Sequence, residues 1–386
     1  LESLGRELAE VVGYDLDFTG LVDLLQPEQF PKTFSGFTQD ATQLDFSAWR
    51  DAKAEYLVYA YVHQETDKLV AECRLFDVLA GQQVVGKRFT AHPEWRRSLS
   101  HHFSDEIVLY LTGVPGIATT QICFSAGQTG KKEVYLVDYD GASLRQVTQH
   151  GSVSILPEFS PDGARIVYLS FKDRYPFLYI LDLPTGKIAP LSKNVGLNAS
   201  PAWAPDGQQL AMVLIRDANA EIYLINSDGS GRKRLTHNKA LDTAPFFNPN
   251  GKEIAFVSDR QGVAQIFAAT LDGNNTRRIS FQGGRSYDPA WSPDGKFIAY
   301  VVETGADGLE IYTANADGTG ARRLTNSSGS NESPSWSPDS RHLVFVSTRS
   351  GRSQLWTLNI ETGEERGVPG LERLGCQGPS WGPRRK

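Results

Sequence analysis

The sequence predicts a small α/β N-terminal domain followed by an all-β, six-bladed β-propeller that is closed by its C-terminal strand. Three observations predict it. A turn motif recurs at a nearly constant interval, the N-terminal third does not share that repeat, and the last repeat is only a fragment of a unit.

The repeat is marked by the prolines Pro157, Pro201, Pro245, Pro289, Pro334 and Pro379, with spacings of 44, 44, 44, 45 and 45 residues. A period of about 40 to 45 residues filled with short strands is the mark of radial β repeats. One unit shows the logic. After "PAW" comes "SPDG" (Ser292 to Gly295), where proline presets φ at the second turn position and glycine supplies φ > 0 at its end. Then follow "KFIAYVV", "EIYTANADG" and "ARRLT". This reads as four antiparallel strands, A to D from the axis outward. The aromatic that follows each proline by two (Phe159, Trp203, Phe247, Trp291, Trp336, Trp381) is expected to pack between neighbouring blades.

The first repeat has no strand A of its own before "QICFSAG" (Gln121 to Gly127), and the last is a strand A alone, "GPSWGP". The C-terminal strand is therefore expected beside Gln121–Ser125, removing an open edge. The outer strands "RKRLT", "TRRIS" and "ARRLT" read as solvated edges whose charge discourages edge-to-edge pairing.

Residues 1–112 form the α/β domain in this reading. "LESLGRELAEVV" has helical apolar spacing, and "DFSAWRDAKA" is a short helix with Asp45 near its N-cap. "EYLVYAYVHQ", "KLVAECRLFDV" and "QQVVGKRFT" are strands, and "PEWRRSLSHHFSDEIVLYLTG" is a helix ended by Gly113. Residues 113–116 are the linker and 117–386 the propeller. Leu1 is not a natural start, so a preceding segment, with a signal peptide and a further strand of this sheet, is expected to have been removed.

A net charge of −6 over 386 residues argues against a general nucleic-acid binder, whose footprint would be basic. No apolar run reaches about eighteen residues, so no membrane-spanning helix is expected. Cys73, Cys123 and Cys376 make neither a disulfide framework nor a zinc pattern, and inert buried thiols are the expectation. Cys123 and Cys376 share a blade but lie diagonally in the expected register, so no bridge is predicted between them.

Antiparallel order gathers the B–C loops and the D–A loops on one face of the ring, the usual place for a binding surface. The B–C loops align Lys172, Arg216, Arg260 and Arg349, with Gln128 and Thr304 at the two other positions. This suggests a partial basic ring facing an acidic partner; the competing reading is local pairing with Asp173, Asp217 and Asp259. The D–A loops add His237, Asp242, Thr243, Arg285, Tyr287 and Glu332 as candidate partner-binding residues. Asp242, Asp288 and Glu332 are the weak candidates for calcium in the channel. His101, His102, Asp105 and Glu106 have i, i+4 spacing suited to a metal, but a solvated helix face is the expected reading.

Catalysis finds little support. No G-x-S-x-G nucleophile elbow occurs, so a serine-peptidase reading fails. The alternative function is a metal-dependent propeller hydrolase or lactonase with its active site in the channel, which needs acids and a base converging there.

The junction "SDEIVLYLTGVPGIATTQICFS", the preceding "FDVLAGQQVVGKRF" and the repeats "PxWSPDG", "FVSDRQG" and "RRLT" together resemble the TolB family of the Tol-Pal cell-envelope system of Gram-negative bacteria. The first propeller strand departs from it, reading "QICFSA" where the family usually has Arg-Ile-Ala-aromatic-Val. The resemblance implies a non-enzymatic, cofactor-free periplasmic monomer with WD40-like PD repeats. It implies that the propeller binds the peptidoglycan-associated lipoprotein Pal and supports outer-membrane integrity and cell division. Bacteriocin peptides can compete for the same propeller, and TolA is engaged through an N-terminal segment that this sequence lacks.

Overall fold

The structure, a computed structural model, describes residues 2–31, 44–128, 130–193, 197–216, 219–305 and 308–385. The chain divides into two compact units, residues 1–119 and 120–386. Residues 113–119, placed partly in a linker and partly in the propeller by the sequence, group with the first unit.

The first unit holds α1 (Glu2–Phe18), α2 (Phe46–Asp51), the meander β1 (Tyr56–Glu65), β2 (Lys68–Asp77) and β3 (Gln82–Ala91), and α3 (Arg96–Thr112). Asp45 caps α2 by accepting from the backbone N–H groups of Ser47 at 3.0 Å and Ala48 at 3.3 Å. Gly113, at φ 77°, ends α3, its N–H reaching the Leu109 carbonyl at 2.8 Å. Leu69, Ala71, Cys73 and Leu75 of β2 bury against Leu99, Phe103 and Ile107 of α3 and Val12 and Leu16 of α1.

The solvated helix face expected for α3 is corrected at two positions. His101 is 1% exposed and its Nδ1 lies 2.9 Å from an Asp15 carboxylate oxygen. Asp105, one turn on, accepts from the Ala118 N–H at 2.8 Å and the Thr119 hydroxyl at 2.7 Å, and burial raises its pKa. Because α3 packs against both α1 and the sheet, its i, i+4 polar pair turns inward and is used for internal hydrogen bonding. Glu106 pairs with Lys87 at 2.9 Å, and His102 bonds the Ser98 carbonyl at 2.7 Å.

In the second unit the described residues form six four-stranded antiparallel sheets. Their A strands are, in order, Gln377–Trp381, Ser154–Phe159, Leu197–Trp203, Asp242–Phe247, Ser286–Trp291 and Asn331–Trp336. The first sheet joins the two ends of the unit: Gln377 pairs with Ser125 and Ser380 with Cys123. Cys73, Cys123 and Cys376 are all free and buried, and burial pushes the Cys73 and Cys376 thiols up to about 12.

Consecutive sheets touch through their A strands. The aromatic after each proline serves these contacts. Trp203 packs on Val167, Leu169 and Leu178 of the second sheet, and Trp291 on Ala255 and Val257 of the fourth. Trp336 packs on Ala290 and Ala299 of the fifth sheet and donates its indole N–H to the Ala290 carbonyl at 3.0 Å.

Two features were not foreseen. Each A strand breaks register at its proline, and the residue just before it has positive φ: Leu156 (55°), Ser200 (42°), Ala244 (46°), Asp288 (46°), Ser333 (55°) and Gly378 (52°). Proline has no N–H to give the ladder, so the strand bulges there.

The second feature corrects the solvated outer edge. Arg234 reaches Glu221 at 2.6 Å and Arg323 reaches Glu310 at 2.7 Å, both carboxylates being buried at the start of strand C. The threonine of each motif, Thr236 or Thr325, donates its hydroxyl to the same carboxylate at 2.5 Å. The "R-L-T" strings are internal clasps, because a two-residue strand D needs side-chain anchors to stay on its sheet.

Candidate functional site

Antiparallel order brings the start of A, the end of B and the start of C to one end of each sheet. The sequence-predicted site residues all lie in or beside the loops at that end.

The basic positions are mostly partnered, and by groups other than the neighbouring aspartates. Arg260 donates to both oxygens of Asp242, at 3.1 and 3.0 Å, and to the Ser258 hydroxyl at 2.9 Å. Its guanidinium lies 5.1 and 5.0 Å from the ring centroids of Phe256 and Phe267. Arg349 repeats the device two sheets on. It donates to the Ser347 hydroxyl at 2.8 Å and to Asn331 at 3.1 Å, pairs with Glu365, and stacks 4.2 Å from the Trp356 ring. Lys172 sits 4.3 Å over the Tyr179 ring. Arg216 is exposed at the end of its strand, and Asp217 lies outside the described residues.

The expected aspartate partners are engaged elsewhere. Asp173 accepts from Lys193 at 2.6 Å and from the Tyr179 hydroxyl at 2.8 Å, which hold its carboxyl below the usual range. Asp259 accepts from the Leu241 N–H at 2.8 Å.

Among the D–A loop candidates, Asp242 is fully buried, His237 and Arg285 are exposed, and Thr243, Tyr287 and Glu332 are half-buried. Asp242 also accepts from Asn238 at 2.6 Å, so it is a structural anchor. Asp288 accepts from the Ser333 hydroxyl of the next sheet at 3.2 Å, and burial raises its pKa. Burial and the charge of Asp288 raise Glu332 as well. Among the described residues no group of three or more His, Cys, Asp or Glu is placed to hold a metal ion. Among the described residues the three calcium candidates therefore form no metal-holding group: Asp242 is paired with Arg260, and burial raises the pKa of Asp288 and of Glu332.

The sequence reading missed the apolar character of this end. Phe171 (36% exposed), Tyr175 (66%), Leu241 (46%), Val263 (47%) and Phe281 (62%) all project from B–C or D–A loops. Tyr175 lies 6.0 Å from the Phe177 ring, and Arg278 stacks 5.1 Å over Phe281. All five lie on loops at the same end of their sheets. Side-chain size across the aligned loops, rather than charge, carries that signal.

Comparison with known proteins follows the two units. The TolB amino-terminal domain matches residues 1–84, and the TolB beta propeller domain matches residues 109–308 and 301–386. A TolB homolog of Chlorobium chlorochromatii is 35% identical over 181 residues, covering 47% of this chain and 41% of that protein. A Tol-Pal system protein TolB of Roseobacter denitrificans is 32% identical over 186 residues, covering 47% and 41%. The matched segment thus spans less than half the length of these relatives. The crystal structure of TolB from Acinetobacter baumannii superposes with a TM-score of 0.88 at 26% identity, covering 97% of this chain and 93% of that one.

Proposed function

The chain belongs to the TolB family, and from that premise we propose that it is a non-enzymatic, periplasmic interaction module of the Tol-Pal system. The six sheets are, in this reading, the blades of one closed six-bladed propeller, with the pairing of Gln377–Trp381 to Gln121–Gln128 as the closing seam. The loop end of the blades receives the lipoprotein Pal, and the first unit serves the exchange with TolA. Binding and release, in support of outer-membrane integrity and division, are the whole of its chemistry. No helix among the described residues is long and apolar enough to cross a membrane.

The observation that carries the reading is the gathering of Phe171, Tyr175, Leu241, Val263 and Phe281 at the loop end. A docking surface needs central apolar and aromatic anchors with a polar rim. Lys172, Arg216, His237, Thr243, Arg285, Tyr287 and Glu332 supply that rim, while Arg260, Arg349 and Asp242 stiffen the loops beneath it. Calorimetric titration with the soluble domain of the organism's own Pal tests this. Saturable one-to-one binding supports it, and a folded chain that takes up no Pal overturns it.

A further inference from the structure

A second site lies at the seam of the first and sixth sheets. A cavity of about 470 Å³ is lined by Gly127, Arg352, Ser353, Arg373, Leu374 and Gly375. Its walls are the end of strand B of the first sheet, the B–C turn of the sixth, and the loop that leads into the C-terminal strand. Backbone hydrogen bonds tie these three segments together. The Gly127 N–H reaches the Leu374 carbonyl at 3.2 Å, and the Cys376 N–H reaches the Ser353 carbonyl at 2.9 Å. The floor therefore belongs to the ladder and is as rigid as the seam. Gly127 sits at φ 135°, and a Cβ there would meet the Lys131 carbonyl at 2.4 Å, so the position is held to glycine and the floor stays bare backbone.

Two arginines face this cavity with no partner among the described residues. Among the described residues, Arg260, Arg349, Arg234 and Arg323 each have a carboxylate. Arg352 and Arg373 are exposed and, among the described residues, have neither an ion pair nor a side-chain hydrogen bond. The adjacent acid, Glu372, is turned back on its own loop, where it accepts from the Gly370 N–H at 3.0 Å. Lys132, close by on the first sheet, gives its ammonium to the Gln377 side chain, and burial lowers its pKa. Arg352, Arg373 and Lys132 thus outnumber Glu372 around the cavity, in a chain whose net charge is −6. Two guanidinium forks across a concave site recognise carboxylates by paired, charge-assisted hydrogen bonds. The volume falls within the range of about 300 to 1,000 Å³ typical of ligand pockets.

We propose that the cavity at the seam is a binding site for carboxylate side chains of an acidic peptide segment, clamped between Arg352 and Arg373 over a backbone floor. The bare floor favours an extended peptide over a compact anion, because glycine and backbone edges leave room for a main chain to lie close. This site is separate from the apolar cluster on the second and fourth sheets and stands whether or not that cluster binds Pal.

The test uses the full chain and a synthetic pentaglutamate peptide, read by calorimetry at low salt, with pentaglutamine and inorganic phosphate as the other arms. Binding of pentaglutamate alone is expected. It should weaken by about fivefold in Arg352→Gln or Arg373→Gln and by more than tenfold in the double variant, in keeping with charge-assisted bonds. It should also weaken steeply with added salt. Both side chains are exposed, so thermal melts of the variants should match the parent; if one does not, the salt titration on the unaltered chain decides. Unchanged affinity in the folded double variant, equal binding of pentaglutamine, or phosphate binding as tight as the peptide's would each overturn the proposal.

Discussion

Arg260 closes on the buried carboxylate of Asp242, 3.0 Å away, with its guanidinium over the neighbouring rings of Phe256 and Phe267. The bond ties the B–C loop of the fourth sheet to the start of its A strand. A residue that reads from the sequence as a rim charge is spent inside its own blade. Arg260→Ala leaves the Asp242 carboxylate buried without its cation, which should cost about 3 kcal/mol. Denaturant unfolding of the variant checks this. An unchanged midpoint would show that the pair does not hold the loop.

The same reasoning applies to the outer clasp. Glu310 is fully buried and satisfied by Arg323, Thr325 and Asn331. Arg323→Met should destabilise by about 2 to 4 kcal/mol, and Glu310→Gln with Arg323→Met should recover part of the loss, because the unpaired buried charge is gone. A double-mutant cycle measures the coupling.

The bulge before each proline is strained where the residue is not glycine. Ala244 sits at φ 46°, a conformation that costs an L-residue about 1 to 2 kcal/mol. Ala244→Gly should therefore raise stability by about 0.5 to 1 kcal/mol, the gain being reduced by glycine's greater freedom when unfolded. A lower unfolding midpoint would contradict this.

Stability should fall as pH rises through the neutral range. Burial pushes Glu158 up to about 8 from an ordinary value of 4.5, and Asp288 and Glu332 are raised in the same sense. The folded chain then keeps protons that the unfolded chain has released. Their contribution is fully present below the unfolded pKa values and is lost as pH climbs through the folded ones, at up to about 1.4 kcal/mol per pH unit for each group. Glu158→Gln should flatten the profile between about pH 5 and pH 8. An identical profile in the variant would show that Glu158 is charged in the native state.

What the sequence disclosed depended on range. Spacing between prolines and the split first repeat are one-dimensional signals, so the four-stranded units and the pairing of the C-terminal strand beside Gln121–Ser125 can be read directly. The partners of Arg260, Arg349 and Arg323 could not. Each side chain reaches back across strands to Asp242, Asn331 or Glu310, residues 18, 18 and 13 positions away, while the sequence offers nearer aspartates. His101 and Asp105 were misjudged because i, i+4 spacing names a helix face but not what covers it. Phe171, Tyr175 and Phe281 were passed over because a single exposed aromatic in one loop carries no message until the fold shows that all lie at one end.

The proposed docking surface is the loop end of the blades. The most direct measurement is calorimetric titration with soluble Pal of three folded forms: the parent, Tyr175→Ala with Phe281→Ala, and Asp228→Ala in a C–D turn at the opposite end. Saturable binding is expected to fall by about tenfold or more in the aromatic double variant, as for central interface anchors, and to be unchanged in Asp228→Ala. Binding that survives loss of both aromatics and fails in Asp228→Ala would contradict it.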